Sequence, residues 1–515
     1  MKEANVSTSP RLPQHVSDGT SDEERKGLLS GDVQDRPDPE LSGKRPWTKR
    51  ILVLATAAAL LLLGVAAGEC LLSRRADKNT LRATFLKDAV RSNGTHDFKP
   101  TVLVVSIDGL QAGYLDRGLT PHLLDIAKKG LRAKFMKPIF PTLTFPNHWA
   151  LMTGLYAESH GIVANNFWDP ETGTEFHYNS AAHSWNASWW FGEPMWETAG
   201  KAGLITANLM WPGPPQTRTG WSPTYFIPWR DKVPLKEKHD QIMAWLDMPI
   251  DTRPQLIMAY EPSLDQAGHL TGPNSTLVNN TLSYVDRFAK DIHESLEARN
   301  LTDIVDVVFV SDHGMTDTSH LNMIYIDEIL GKDGYEAIEH EDGWPSMGIR
   351  FSPSVDAAHY LDILLDAARA NPEKFDVYTH ETMPQRYHFS DNPRIAPIYI
   401  VPKMAYALTT RKDGDVGFTK GNHGYDNDEP SMRAFFVAHG PFSAVTKVVQ
   451  KQNSQRLMRR LLGNPNEGWH STADDTYVLE GFENVNLYNL VMKLLGIQDS
   501  AAKTNGTEGF WDKYF

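Results

Sequence analysis

An α/β fold built on a central, mostly parallel sheet is predicted by three features of the 515-residue sequence. Short runs of aliphatic and β-branched residues recur between helical patterns, the alternation of a strand–helix–strand chain. Those runs carry no polar residue at every second place, as strands covered on both faces require. Polar, titratable residues follow several of them directly, at the strand carboxyl ends where open α/β sheets bind ligands.

Taken in chain order, residues 1–50 hold nine basic and nine acidic residues and no apolar periodicity, the composition of a disordered tail. Residues 51–72 begin with ILVLATAAALLLLGVAAG, an uncharged run close to the ~20 residues that span a bilayer. A secretory leader would start near residue 1 and end at a cleavage site, so a retained single-pass anchor is expected. Lys44, Arg45, Lys49 and Arg50 precede it and predict a cytosolic amino terminus, that is, type II topology. The catalytic part would then be lumenal or extracellular, in an internal membrane, the vacuole or the cell surface. The shortness of the span leans toward thinner internal membranes.

Six acceptor sequons lie beyond the anchor, at Asn93, Asn186, Asn274, Asn279, Asn300 and Asn505. Single sequons arise by chance, but six on that side agree with a lumenal, glycosylated ectodomain. Residues 73–99 are predicted to form a polar stalk, 100–500 the catalytic domain and 501–515 a terminal tail. Within the domain, Thr101–Ile107, Leu256–Tyr260, Ile304–Ser311 and Ala434–Ala438 are the predicted core strands. Residues from about 320 to 415 have separate strand and helix patterns and read as an inserted smaller lobe.

Composition excludes other classes. One cysteine among 515 residues forbids an intrachain disulfide scaffold. A formal net charge of −13 disfavours a binder of nucleic-acid duplexes.

The chemistry-bearing residues stand after the strands. Asp108 follows the first run, Asp265 and His269 the second, Asp312 and His313 the third, and His423 precedes the last. Imidazole and carboxylate together suit divalent-metal binding. Asp265 and His269, four apart, share one face of a helical turn. Asp312 and His313 are adjacent, so only a strand-end turn lets both reach one cluster. Thr144 sits in Phe140-Pro141-Thr142-Leu143-Thr144-Phe145-Pro146-Asn147-His148, where Pro146 predicts a helix start. A hydroxyl there is usually only a cap. Metal ligands elsewhere make it a candidate nucleophile.

These segments, together with Glu158-Ser159-His160-Gly161-Ile162, Asn422-His423-Gly424-Tyr425-Asp426-Asn427 and Asn484-Val485-Asn486-Leu487, resemble the nucleotide pyrophosphatase/phosphodiesterases of the alkaline phosphatase superfamily, in their fungal-type form. The resemblance implies an alkaline phosphatase-like core and two zinc ions. One ion would be held by Asp265, His269 and His423. The other would be held by Asp108, Asp312 and His313, with Thr144 as nucleophilic ligand. It also implies Asn165 as donor to the phosphate oxygen, and Phe145, Trp211, Trp229 and Tyr260 as walls of a nucleoside pocket. The implied activity is hydrolysis of small-molecule nucleotides through a nucleotidyl-threonine. Two residues separate Pro262 from Asp265, where better-known animal members have none. Rival readings are a choline- or lysolipid-directed phosphodiesterase and an inactive adhesion or receptor module. Intact Thr144 and six intact ligands argue against the module.

Overall fold

The computed structural model describes residues 56, 60–61, 85–414, 419–460 and 476–515. The predicted tail, nearly all of the predicted anchor and residues 73–84 of the predicted stalk lie outside these. Among the described residues no helix is long and apolar enough to cross a membrane. The chain divides at Leu72/Ser73 into two units, and every element below belongs to the second.

Eight strands form the central sheet: β1 (Thr101–Ile107), β2 (Leu131–Ala133), β3 (Thr206–Leu209), β4 (Tyr225–Ile227), β5 (Leu256–Glu261), β6 (Val305–Val310), β7 (Phe436–His439) and β8 (Tyr477–Leu479). Their spatial order is β8-β2-β7-β6-β1-β5-β3-β4. All neighbours run parallel except those of β7, which is antiparallel to both β6 and β2. The sheet is therefore mixed, with one reversed strand in a mostly parallel array.

β1 is buried along its whole length, because alternate side chains enter separate cores. Val102 and Val104 join the cluster containing Trp149, Leu490 and Val491. Leu103, Val105 and Ile107 join the one containing Ile242, Leu282 and Phe288. Burying a Val or Ile side chain contributes roughly 1.5–3 kcal/mol, so this two-faced strand anchors the domain. In register, Ile107 pairs with Glu261 and Ser106 with Val310. β1, β5 and β6 therefore end level, and the residues after them emerge side by side.

Residues 322–409 make the smaller lobe. Asn322–Tyr325 and Tyr406–Thr409 pair in parallel where the chain leaves and returns. Between them, Ile338–Asp342, Met347–Phe351, Ile398–Pro402 and Phe375–Thr379 form, in that order, an antiparallel sheet. A separate core holds it together, including Ile349, Leu364 and Ile400.

Two boundaries differ from expectation. Residues 85–99 are not stalk: Phe85 is buried, and Arg91–Ser92 pairs with Asp97–Phe98. Residues 501–515 are not a tail, since Trp511 is 2% exposed and its indole donates to Asn486 O at 2.7 Å. In both places a few aromatic anchors outweigh a polar composition. Of the sequon asparagines, Asn186, Asn274, Asn300 and Asn505 are exposed, and Asn93 and Asn279 are half-buried.

Candidate active site

Five segments meet beyond the level ends of β1, β5 and β6. Asp108 opens the turn after β1, where Gly109 has φ 69°. A Cβ on Gly109 would stand 3.0 Å from Asp265 Cβ, so glycine both makes the turn and admits the neighbouring acid. Asp265 and His269 lie one turn apart on helix Ser263–Thr271. The two residues separating Pro262 from Asp265 are absorbed at the start of that helix. There Glu261 accepts from Ser263 N at 3.0 Å and is paired with buried Lys238 at 2.6 Å. Asp312 and His313 follow β6, and His423 follows Gly421–Asn422. Thr144 begins helix Thr144–Thr153.

The side chains converge on two adjoining positions. At one, His269 Nε2 lies 3.4 Å from Asp265 Oδ2 and 3.1 Å from His423 Nε2, and His423 Nε2 lies 3.5 Å from Asp265 Oδ1. At the other, His313 Nε2 lies 3.0 Å from Asp312 Oδ2, 3.4 Å from Asp108 Oδ1 and 3.2 Å from Thr144 Oγ1. The predicted ligands and the predicted nucleophile thus stand together.

The hydrogen-bond pattern shows what fits between them. Each imidazole is held through Nδ1 by a backbone carbonyl: His269 by Gly421 at 2.9 Å, His313 by Gly314 at 2.8 Å and His423 by Thr142 at 2.8 Å. A carbonyl only accepts, so Nδ1 carries the proton and a neutral ring turns its Nε2 lone pair inward. Two such lone pairs face each other at 3.1 Å. Asp108 Oδ1, Asp265 Oδ1 and Asp312 Oδ2 are buried without a hydrogen-bond partner. Orphaned anionic oxygens beside imidazole lone pairs are what divalent cations satisfy, and the carbonyl partners are the usual outer support of metal-bound histidine.

The electrostatics are those of crowded acids and imidazoles: burial would lower His313, but Asp312 raises it above the ordinary imidazole range. Burial, with Asp312 and Asp265 nearby, pushes Asp108 well above the ordinary carboxylate range. Burial also raises Asp265, against the pull of His269 and His313. Burial would raise Asp312 too, but His313 and His148 hold it well below the usual range. Burial lowers His423, helped by His313 and His269, which keeps that ring neutral. Metal ligation calls for a neutral imidazole.

Asn165 stands beside the Thr144 helix start. Its Oδ1 accepts from Phe145 N at 3.0 Å. That bond fixes the amide and leaves its NH2 as the donor, beside the amino end of the Thr144 helix, where the macrodipole favours anions. Phe145 is half-buried and lies 5.4 Å from the ring of Tyr178.

Two predicted pocket walls are corrected. Tyr260 is 7% exposed and its hydroxyl donates to Asp108 Oδ2. Trp211 is 4% exposed and packs edge-on to His148 at 5.3 Å. Both rings are buried, Tyr260 against Asp108 and both against His148, with little exposed face for a base. Trp229 is 52% exposed, a free surface at the end of β4.

Sequence reading missed His148 and Tyr178. His148 is wholly buried and its Nδ1 lies 3.3 Å from Asp312 Oδ2. Its place four residues after Thr144 puts both on one helix face, a signal legible in advance. Tyr178 is 42% exposed, and burial plus the fields of Asp265 and Asp108 raise its phenol. It follows a hairpin of 166–169 and 174–177 and gave no periodic signal.

A family model described as type I phosphodiesterase/nucleotide pyrophosphatase matches residues 102–426. A Schizosaccharomyces pombe protein named as an uncharacterized pyrophosphatase/phosphodiesterase is 40% identical over 68% of this chain and 73% of its own length. Ectonucleotide pyrophosphatase/phosphodiesterase family member 3 of Rattus norvegicus is 32% identical over 80% of this chain and 43% of its own length. The chain thus spans less than half of that animal relative. Murine ectonucleotide pyrophosphatase/phosphodiesterase 5 superposes with TM-score 0.67 and 30% identity, over 80% of this chain and 98% of that one. Another solved form of it is a threonine-to-alanine variant, described as inactive, in complex with AMP. The chain belongs to the type I phosphodiesterase/nucleotide pyrophosphatase family of hydrolases.

Proposed function

We propose that this family member hydrolyses nucleotide pyrophosphate and phosphodiester bonds through a covalent nucleotidyl-threonine, with two zinc ions held at the residues above. One observation carries the reading: three inward imidazole lone pairs and three orphaned carboxylate oxygens meet within reach of a single threonine hydroxyl. The mixed nitrogen and oxygen donor set suits zinc. Asp265, His269 and His423 would hold one ion, and Asp108, Asp312 and His313 the other, with Thr144 Oγ1 at its edge. Bound there, the pair supplies positive charge that acidifies a hydroxyl and neutralises phosphoryl oxygens.

Thr144 Oγ1 gives up its proton to solvent and attacks phosphorus in line. The bond to the leaving group breaks, and pyrophosphate departs without needing a strong acid. Water then attacks the same phosphorus and releases the nucleoside monophosphate and free Thr144. Asn165 Nδ2 donates to an equatorial oxygen as charge develops, in the manner of an oxyanion hole. The helix amino end at Thr144 adds a fixed positive field. Phe145 offers a stacking face, worth about 1–3 kcal/mol per base at comparable sites.

The same reading takes residues 51–72 as a bilayer anchor, with the catalytic unit lumenal or extracellular and the sequons glycosylated. A glycosidase-induced mobility shift of membrane-protected protein tests that topology.

Activity is tested with the purified full-length chain on the nitrophenyl ester of thymidine 5′-monophosphate and on nitrophenylphosphocholine. Preferred turnover of the first, loss on chelation and recovery with zinc are expected. Preference for the choline ester would replace the nucleotide reading.

A further inference from the structure

We infer that His148 is a positioning residue that locks the nucleophile's helix to the Asp312 carboxylate; the inference rests on the function proposed above and deepens it. His148 is 0% exposed. Its Nδ1 lies 2.9 Å from Thr144 O and 3.3 Å from Asp312 Oδ2. A carbonyl cannot donate, so Nδ1 carries a proton and donates it to Thr144 O, while the Asp312 carboxylate stands against the same nitrogen as a charge contact. Its Nε2 lies 2.9 Å from Ser106 Oγ, two residues before Asp108. Tyr260 and Trp211 stand edge-on to the ring at 5.0 and 5.3 Å and box it in.

One imidazole therefore joins three structures that must keep register: the strand leading to Asp108, the helix presenting Thr144, and the turn carrying Asp312. A histidine that merely filled the core would need partners, but not these. Ser106, His148 and Asp312 also have the order of a hydrolytic triad, yet Ser106 is 0% exposed. No substrate reaches that hydroxyl, so the trio positions and does not attack. The two aromatics first read as substrate walls acquire a purpose here, as walls of the His148 box.

The test exploits which nitrogen matters. Asparagine can place an amide donor where Nδ1 stands, whereas glutamine places one nearer Nε2. His148→Gln is expected to lower kcat roughly 10- to 100-fold at little-changed KM, the cost of a misplaced nucleophile. His148→Asn should recover most of that loss. Zinc retained by the full-length protein against graded chelator should rank in the same order, with about a tenfold gap, as for outer-shell partners of metal ligands. Equal losses in both variants, a loss confined to KM, or no loss would overturn the inference. Should neither variant fold, Ser106→Ala frees Nε2 alone; a severalfold fall in kcat at unchanged KM is expected, and wild-type kcat would overturn the inference. A wild-type chain that turned over no phosphodiester would instead defeat the functional reading, and zinc retention would still decide the role of His148.

Discussion

Two sets of acids in this domain invite comparison: Asp108, Asp265 and Asp312 at the site, and Asp286 and Asp306 under helix starts. Asp286 and Asp306 are 2% and 4% exposed. Each is answered by backbone amides at a helix start: Asp286 by His122 N at 3.1 Å and Leu123 N at 2.7 Å, Asp306 by Phe442 N at 2.7 Å. Asp108, Asp265 and Asp312 instead face one another and the imidazoles, with oxygens left over. Burial raises Asp286 and Asp306 as it raises Asp108 and Asp265. Desolvation therefore does not tell a site from a cap. Convergence and unmet hydrogen-bonding capacity do. Asp342 in the smaller lobe also has a buried unpartnered oxygen, but it stands alone, 3.6 Å from Arg350.

The sharpest way to break the contrast is at the first set. Thr144→Ala should lower turnover of a nitrophenyl nucleotide ester by a factor on the order of 10³ or more, with an unchanged thermal midpoint. Retained activity would remove the nucleophile. Asp265→Asn should lose about one equivalent of zinc per chain by elemental analysis, with turnover falling in step. Full zinc content would show that the acid is only structural. Asn165→Ala should cost about 10²-fold in kcat, the range for a lost oxyanion donor, read by steady-state kinetics.

At the second set the signs reverse. Asp286→Ala should leave kcat unchanged and lower stability by about 1–2 kcal/mol in urea unfolding, as for a lost helix cap. The prediction for Asp306 concerns pH. Burial raises its folded value to about 7 from an ordinary 3.8, against the bond from Phe442 N and the charge of Arg91. The protonated acid is thus favoured in the fold, so its contribution is present in acid and is lost as pH rises through 7. Stability measured relative to Asp306→Asn should fall between about pH 4 and 8. A rising difference would contradict the burial argument.

Much of this was legible in the sequence. The strand carrying Thr101–Ile107 shows as an unbroken aliphatic run because both faces are covered. The clustered acids and imidazoles show because chemistry-bearing residues follow strands. Strand direction does not show: Phe436–His439 reads like its neighbours and runs the other way, since an apolar run carries no arrow. Nor do aromatic roles. Tyr260 has the composition of a pocket wall, but its register beside Ser106 turns its hydroxyl to Asp108. Terminal segments misled for the opposite reason: a few buried rings, Phe85 and Trp511 among them, hold down chain that is otherwise polar.

The centre is stitched from residues spread between 108 and 423, and β7 and β8, which complete the sheet, arrive later still. Contacts this far apart in sequence close late. A nascent chain halted upstream of His423 would own every group around Thr144 and yet be short of one imidazole of the cluster and of the reversed strand beside β6. The centre can therefore assemble only after the chain has been made past His423 and the strands that follow it. Incomplete translation products would be inert toward phosphate esters while still in the making.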